Sequence, residues 1–93
     1  MSVPLLTNHA HVLYCVEADP NARIRDIAAQ VEITERQAQR IVSQLVETGY
    51  LSRTRVGRRN VYEVNREHVV QHPAWGAVRL GELLAGSASG NGA

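Results

Sequence analysis

The sequence predicts a mainly α chain closed by a small β-hairpin, an α+β class, and three observations predict it. Apolar residues recur at helical spacing as far as Thr48, the period changes to strict alternation between Leu51 and Asn65, and Gly49 divides the two regimes. The chain has 93 residues, of which 44% are hydrophobic and 20% charged, which suits one domain over 1–84. It is too short to enclose a large substrate cavity, so a binding module without a cofactor is expected rather than an enzyme.

Thr7-Asn8 offers an N-cap, and Ala10, Val12, Leu13 and Val16 share a helical face until Asp19-Pro20-Asn21 ends the run. A first helix is expected over Asn8 to Ala18. Ala22-Arg23-Ile24 reads as a short extended stretch, followed by a helix of about two turns with Ile24, Ile27 and Val31 facing inward. Thr34-Glu35-Arg36-Gln37 is a capping box: the Thr hydroxyl accepts from the third helical N–H while Gln37 reaches back. In the third helix, 34–48, Ala38, Ile41, Val42 and Leu45 fall in one narrow arc, and Gly49 is the left-handed cap.

Beyond it, two alternating runs flank Gly57-Arg58-Arg59-Asn60, giving a hairpin over 51–65 with Asn60 as a turn-former. Arg58 and Arg59 stand at its tip, Arg53 and Arg55 on the strand before it. Tyr50 and Tyr62 should pack the hairpin onto the helices. After His72-Pro73, the spacing of Trp75, Val78, Leu80, Leu83 and Leu84 predicts an amphipathic helix over 73–84, and the Gly- and Ser-rich 85–93 a disordered tail.

The order helix, short strand, helix, helix, strand, strand is that of a winged helix-turn-helix, with 34–48 as recognition helix and 51–65 as wing. Charge agrees with this. The formal net charge is only +1, yet residues 51–66 hold five Arg against one Glu while the first fifty residues hold four Arg against six acids. All ten basic residues are Arg, which suits bidentate guanine or phosphate contacts and equally suits a genome with GC-rich codons. With the apolar arc turned inward, Arg36, Gln39, Arg40 and Ser43 must face outward, and Arg and Gln can read guanine and adenine edges in the major groove. Thr34 and Gln37 lie at the helix N-terminus, where N–H groups and the dipole favour a phosphate. Arg58 and Arg59 are expected at the minor groove or flanking phosphates, with Arg53 and Arg55 tracking the backbone.

Ala28 to Leu51, opened by Ile33-Thr34-Glu35-Arg36 and closed by Val46-Glu47-Thr48-Gly49-Tyr50-Leu51, resembles the MarR-type bacterial transcription regulators, and Gly57-Arg58-Arg59-Asn60 matches the wing of small regulators of this kind. The resemblance spans about Asn8 to Asn65 and implies a DNA-binding regulator, usually a homodimer on a pseudo-palindromic site. The long flanking helices that frame a small-molecule pocket in full-length MarR-type proteins have no counterpart here, so ligand sensing is not carried over. Dimerisation is expected through the C-terminal segment, with Trp75, Val78, Leu83 and Leu84 as apolar candidates, and helix 1. Alternatives are a protein-interaction module whose basic wing grips an acidic surface, and a nonspecific architectural DNA binder.

Other features point elsewhere only weakly. Cys15 lies in an apolar stretch and reads as an inert thiol of a reducing cytoplasm. Met1 to Leu6 carries no secretory or transit pattern, and no apolar run approaches the roughly 20 residues that span a bilayer. His9 and His11 cannot share a helix face, and His68 and His72 lack further ligands, so no metal is expected. No elbow motif or phosphate loop organises a catalytic group.

Overall fold

The computed structural model describes residues 7–74 and 76–85. Three helices come first, α1 (Asn8–Ala18), α2 (Ile24–Val31) and α3 (Glu35–Glu47). Two antiparallel hairpins follow, β1 (Leu51–Val56) with β2 (Arg59–Val64) and β3 (Val69–His72) with β4 (Gly76–Arg79). A helical segment at residues 80–85, here α4, ends the described chain. The protein is thus a mixed α+β chain whose element order is compatible with the predicted class.

The caps behave as the sequence leads one to expect. Thr7 Oγ1 accepts from Ala10 N–H at 3.2 Å, and Asp19 leaves the helical region with its N–H on the Cys15 carbonyl. At α3 the reciprocal box is complete: Gln37 N–H donates to Thr34 Oγ1 at 3.0 Å and Thr34 N–H to Gln37 Oε1 at 2.9 Å. Its far end closes in a left-handed turn, with Gly49 at φ 90° and Tyr50 N–H on the Leu45 carbonyl.

The core lies where these elements meet. Val12, Ile27, Ala38 and Val42 are fully buried, one or two from each helix, and the three helices pack against one another pairwise. Ile24 and Val31 are only partly buried, whereas Ala28 joins Ile27 inside. On the first hairpin, alternation puts Leu51, Val64 and Tyr62 on the inner face, and all three are buried, with β1 against α3 and β2 against α1. Tyr50 is half-buried against the core, its ring tilted by 51° to that of His68 with the centroids 4.6 Å apart. Both tyrosines therefore do the packing expected of them.

Three local expectations are corrected. Residues 22–24 form no strand: Arg23 is the extended N-cap of α2, its N–H held by Asp26 Oδ2 at 3.1 Å, and the helix begins at Ile24. Asn60 does not build the turn; it pairs with Arg55 inside the ladder, and the turn is Gly57-Arg58, with Gly57 at φ 62°. The largest correction is the expected 73–84 helix. Val69–His72 and Gly76–Arg79 are instead the paired strands β3 and β4, and of the described residues in this stretch only 80–85 are helical. Their alternation was masked by Pro73 and by leucines that also fit a 3.6 period, since four-residue strands carry too few repeats to separate the two. Of the proposed interface residues, Leu84 is buried in the chain's own core, Val78 is half-buried and Leu83 is exposed. Trp75 and the tail beyond Ala85 lie outside the described residues.

Candidate functional site

The outward side of α3 carries Arg36, Gln39 and Arg40, all exposed, with Ser43 half-buried among them. They are opposite Ala38, Ile41, Val42 and Leu45, whose burial fixes the rotation of the helix about its axis. Two polar ties set its tilt. His9 Nε2 and Gln44 Oε1 lie 2.7 Å apart across α1 and α3, and Asn65 Nδ2 donates at 2.7 Å to the Gly49 carbonyl just past the end of α3. Because Asn65 also accepts from Ser52 Oγ at 2.6 Å, one side chain locks the root of the first hairpin to the end of that helix.

The four hairpin arginines divide into two kinds. Register puts Arg53 and Arg55 on the face of Leu51 and Tyr62, and Arg59 on the opposite face with Val61 and Glu63. Among the described residues Arg53 and Arg58 donate to no protein acceptor, whereas Arg55 Nε donates to the carbonyl of Gly57 at 3.3 Å. Arg59 Nη2 donates to the carbonyl of Asn21 in the α1–α2 loop, so this residue turns back to the helical body instead of standing free at the tip.

Beside that return lies an open concavity of about 350 Å³ lined by Arg23, Ile24, Gln39, Arg59, Asn60 and Tyr62. Gln39 of α3 and Arg59 of the hairpin, predicted separately, are thereby brought to one place. Arg23 is a member that sequence reading missed; its signal was its position just before the first buried face of α2. Thr34 and Gln37 serve the cap, Gln37 committing its Oε1 there, so what they offer outward is the Gln37 amide hydrogens and the helix end.

Electrostatics follow the same division. Among the described residues the ion pairs are Arg66 with Glu17, Arg79 with Glu67 at 3.4 Å and Arg79 with Glu82 at 3.7 Å. Arg66, counted in the basic segment, is therefore neutralised against α1. Among the described residues Arg23, Arg25, Arg36, Arg40, Arg53, Arg55, Arg58 and Arg59 form no ion pair, leaving an exposed cationic set on α3, the hairpin and the start of α2. Burial pushes the Cys15 thiol up from its ordinary value, which fits an unreactive side chain.

A larger groove of about 650 Å³, between α1, the end of α3 and α4, shares no lining residue with the cationic cavity. It is lined largely by apolar side chains such as Leu13, Leu45, Val70 and Leu83 and by no Arg, Asp or Glu. Among the described residues no group of three His, Cys, Asp or Glu is placed to hold a metal, and no helix is long and apolar enough to cross a membrane.

No protein-family model, curated protein or solved structure matches the chain. The class of molecule is therefore argued from its geometry and charge.

Proposed function

We propose that the chain is a sequence-specific double-stranded DNA-binding transcription regulator of the MarR-type winged helix-turn-helix class, acting in the cytoplasm. In this reading α3 enters the major groove, where Arg36, Gln39 and Arg40 meet base edges, and the β1–β2 wing lies on the neighbouring backbone through Arg53, Arg55 and Arg58. The observation that supports it is the shared concavity: Gln39 of the helix lines it together with Arg59, Asn60 and Tyr62 of the hairpin, so the outward side of α3 adjoins the β2 strand of the wing. Ser43 contributes at the edge of that face, and the Thr34 end of α3 approaches a phosphate.

One recognition helix reads only a few base pairs, so a homodimer on two half-sites is part of the proposal. Exposed Leu83 and half-buried Val78 are the apolar residues it would use.

The experiment is a selection of bound duplexes from a random pool, followed by titration of the recovered site at several salt concentrations. Recovery of a palindromic consensus supports both the regulator and the dimer. Binding without a consensus identifies an architectural binder, and no binding to any duplex at low salt favours a wing that grips an acidic protein.

A further inference from the structure

The cavity between α2, α3 and β2 has two guanidinium-bearing walls from elements far apart in the chain, and one of the two is already anchored. Resting on the duplex reading for its natural occupant, the geometry points to this cavity as a seat for one phosphodiester group, with Arg23 and Arg59 as its cationic walls and Gln39 as an amide donor.

Its lining contains two arginines, a glutamine and an asparagine and no acid. Its volume of about 350 Å³ exceeds many times the ~30 Å³ that a water occupies. The nearby Asp26 carboxylate is engaged with the backbone N–H of Arg23, and it forms no ion pair with the Arg23 guanidinium. Among the described residues neither Arg23 nor Arg59 is in an ion pair, in contrast to Arg66 and Arg79.

Arg59 adds preorganisation. One of its guanidinium donors is bound to the Asn21 carbonyl across 38 residues of sequence, which limits the side chain's rotation, and the other donors are left for an anion. A flexible wing-tip arginine must be ordered when it binds; Arg59 is partly ordered on folding. Guanidinium forks match tetrahedral phosphate oxygens in bidentate fashion, and Gln39 brings the edge of α3 to the same place.

The test compares the parent chain with Arg23→Ala, Arg59→Ala, the double variant and Arg79→Ala, measuring duplex affinity from 50 to 200 mM salt. Each phosphate contact contributes about 0.9 to the slope of log affinity against log salt, equivalent to about 3.5-fold over this range. Arg23→Ala and Arg59→Ala should each weaken duplex binding and lose part of that slope, and the double variant about one such step in all, because both residues serve a single phosphate. Arg79→Ala should keep the parent slope. Arg23→Ala matching the parent overturns the seat while leaving the duplex reading intact, and so does a double variant losing two full steps. Among the described residues the Arg23 side chain forms no hydrogen bond or ion pair with the hairpin, so its variant remains informative even where Arg59→Ala loosens the fold.

If the parent binds no duplex, inorganic phosphate decides. Titration shifting the Nε–H resonances of Arg23 and Arg59 but not that of Arg58 supports the seat and removes DNA as its occupant. No shift overturns it. Shifts produced by poly-glutamate and not by phosphate overturn the phosphodiester assignment in favour of an acidic protein surface.

Discussion

Replacing Thr34 with Ala tests whether the start of α3 is held as described. The substitution removes the hydroxyl that accepts from Gln37 N–H at 3.0 Å, and it deprives Gln37 Oε1 of the hydroxyl donor at 3.2 Å. An exposed N-cap of this kind is worth about 1 kcal/mol, within a range of about 0.5 to 2. A domain of this size has only about 4 to 12 kcal/mol in total. The melting midpoint should therefore fall by about 4 to 8 °C, read by circular dichroism at 222 nm, with Thr34→Ser close to the parent. Gln37→Ala should also destabilise, because the Thr34 N–H loses its 2.9 Å acceptor. As the two side chains form one reciprocal unit, the double variant should lose less than the two singles added, by about 0.5 kcal/mol or more. A Thr34→Ala midpoint within about 1 °C of the parent would refute the capping argument.

Ile27→Ala should cost about 2 to 5 kcal/mol in urea unfolding, because Ile27 is fully buried at the junction of the helices; a loss below about 1 kcal/mol would contradict that placement. Gly49→Ala should destabilise by about 1 to 2 kcal/mol or more, combining a φ of 90° with a Cβ only 3.1 Å from His68 Cε1. Gly57→Ala meets nothing within 4 Å of the added Cβ, so a smaller loss there isolates the backbone part. For Cys15, burial disfavours the thiolate and raises the folded-state pKa above the ordinary 9.0. The sign follows from linkage: the stability held with the protonated thiol is present below pH 9.0 and is lost as pH rises through the folded-state value. The urea midpoint should thus drop more between neutral pH and pH ~10 for the parent than for Cys15→Ala, and alkylation of Cys15 should be slower than that of an unfolded control.

Much of this architecture is written in local signals. Thr7 and Asp19-Pro20 bracket α1, Thr34 with Gln37 opens α3, and Gly49 ends it, because a cap is settled by neighbours a few residues away. The outward set of Arg36, Gln39 and Arg40 was equally legible, since a buried arc fixes its opposite. What local pattern could not carry was pairing at a distance. The β3–β4 hairpin exists through partners such as Val70 and Val78, and its strands are shorter than the window needed to see their period. The placement of Arg59 depends on a carbonyl 38 residues earlier, and Arg23 gains its significance only from that meeting. Four arginines in one short segment looked equivalent as a string; ladder register and two backbone acceptors make them unequal.

Leu80 and Leu84 belong to the same core as Val12 and Leu13, so side chains of α4 complete an interior begun by the first helix. A nascent chain halted after the β1–β2 hairpin would leave that interior open to water on one side. Co-translational folding should accordingly reach its stable form only once α4 has cleared the exit tunnel, and a stop codon anywhere before Leu80 should yield a product that proteases remove.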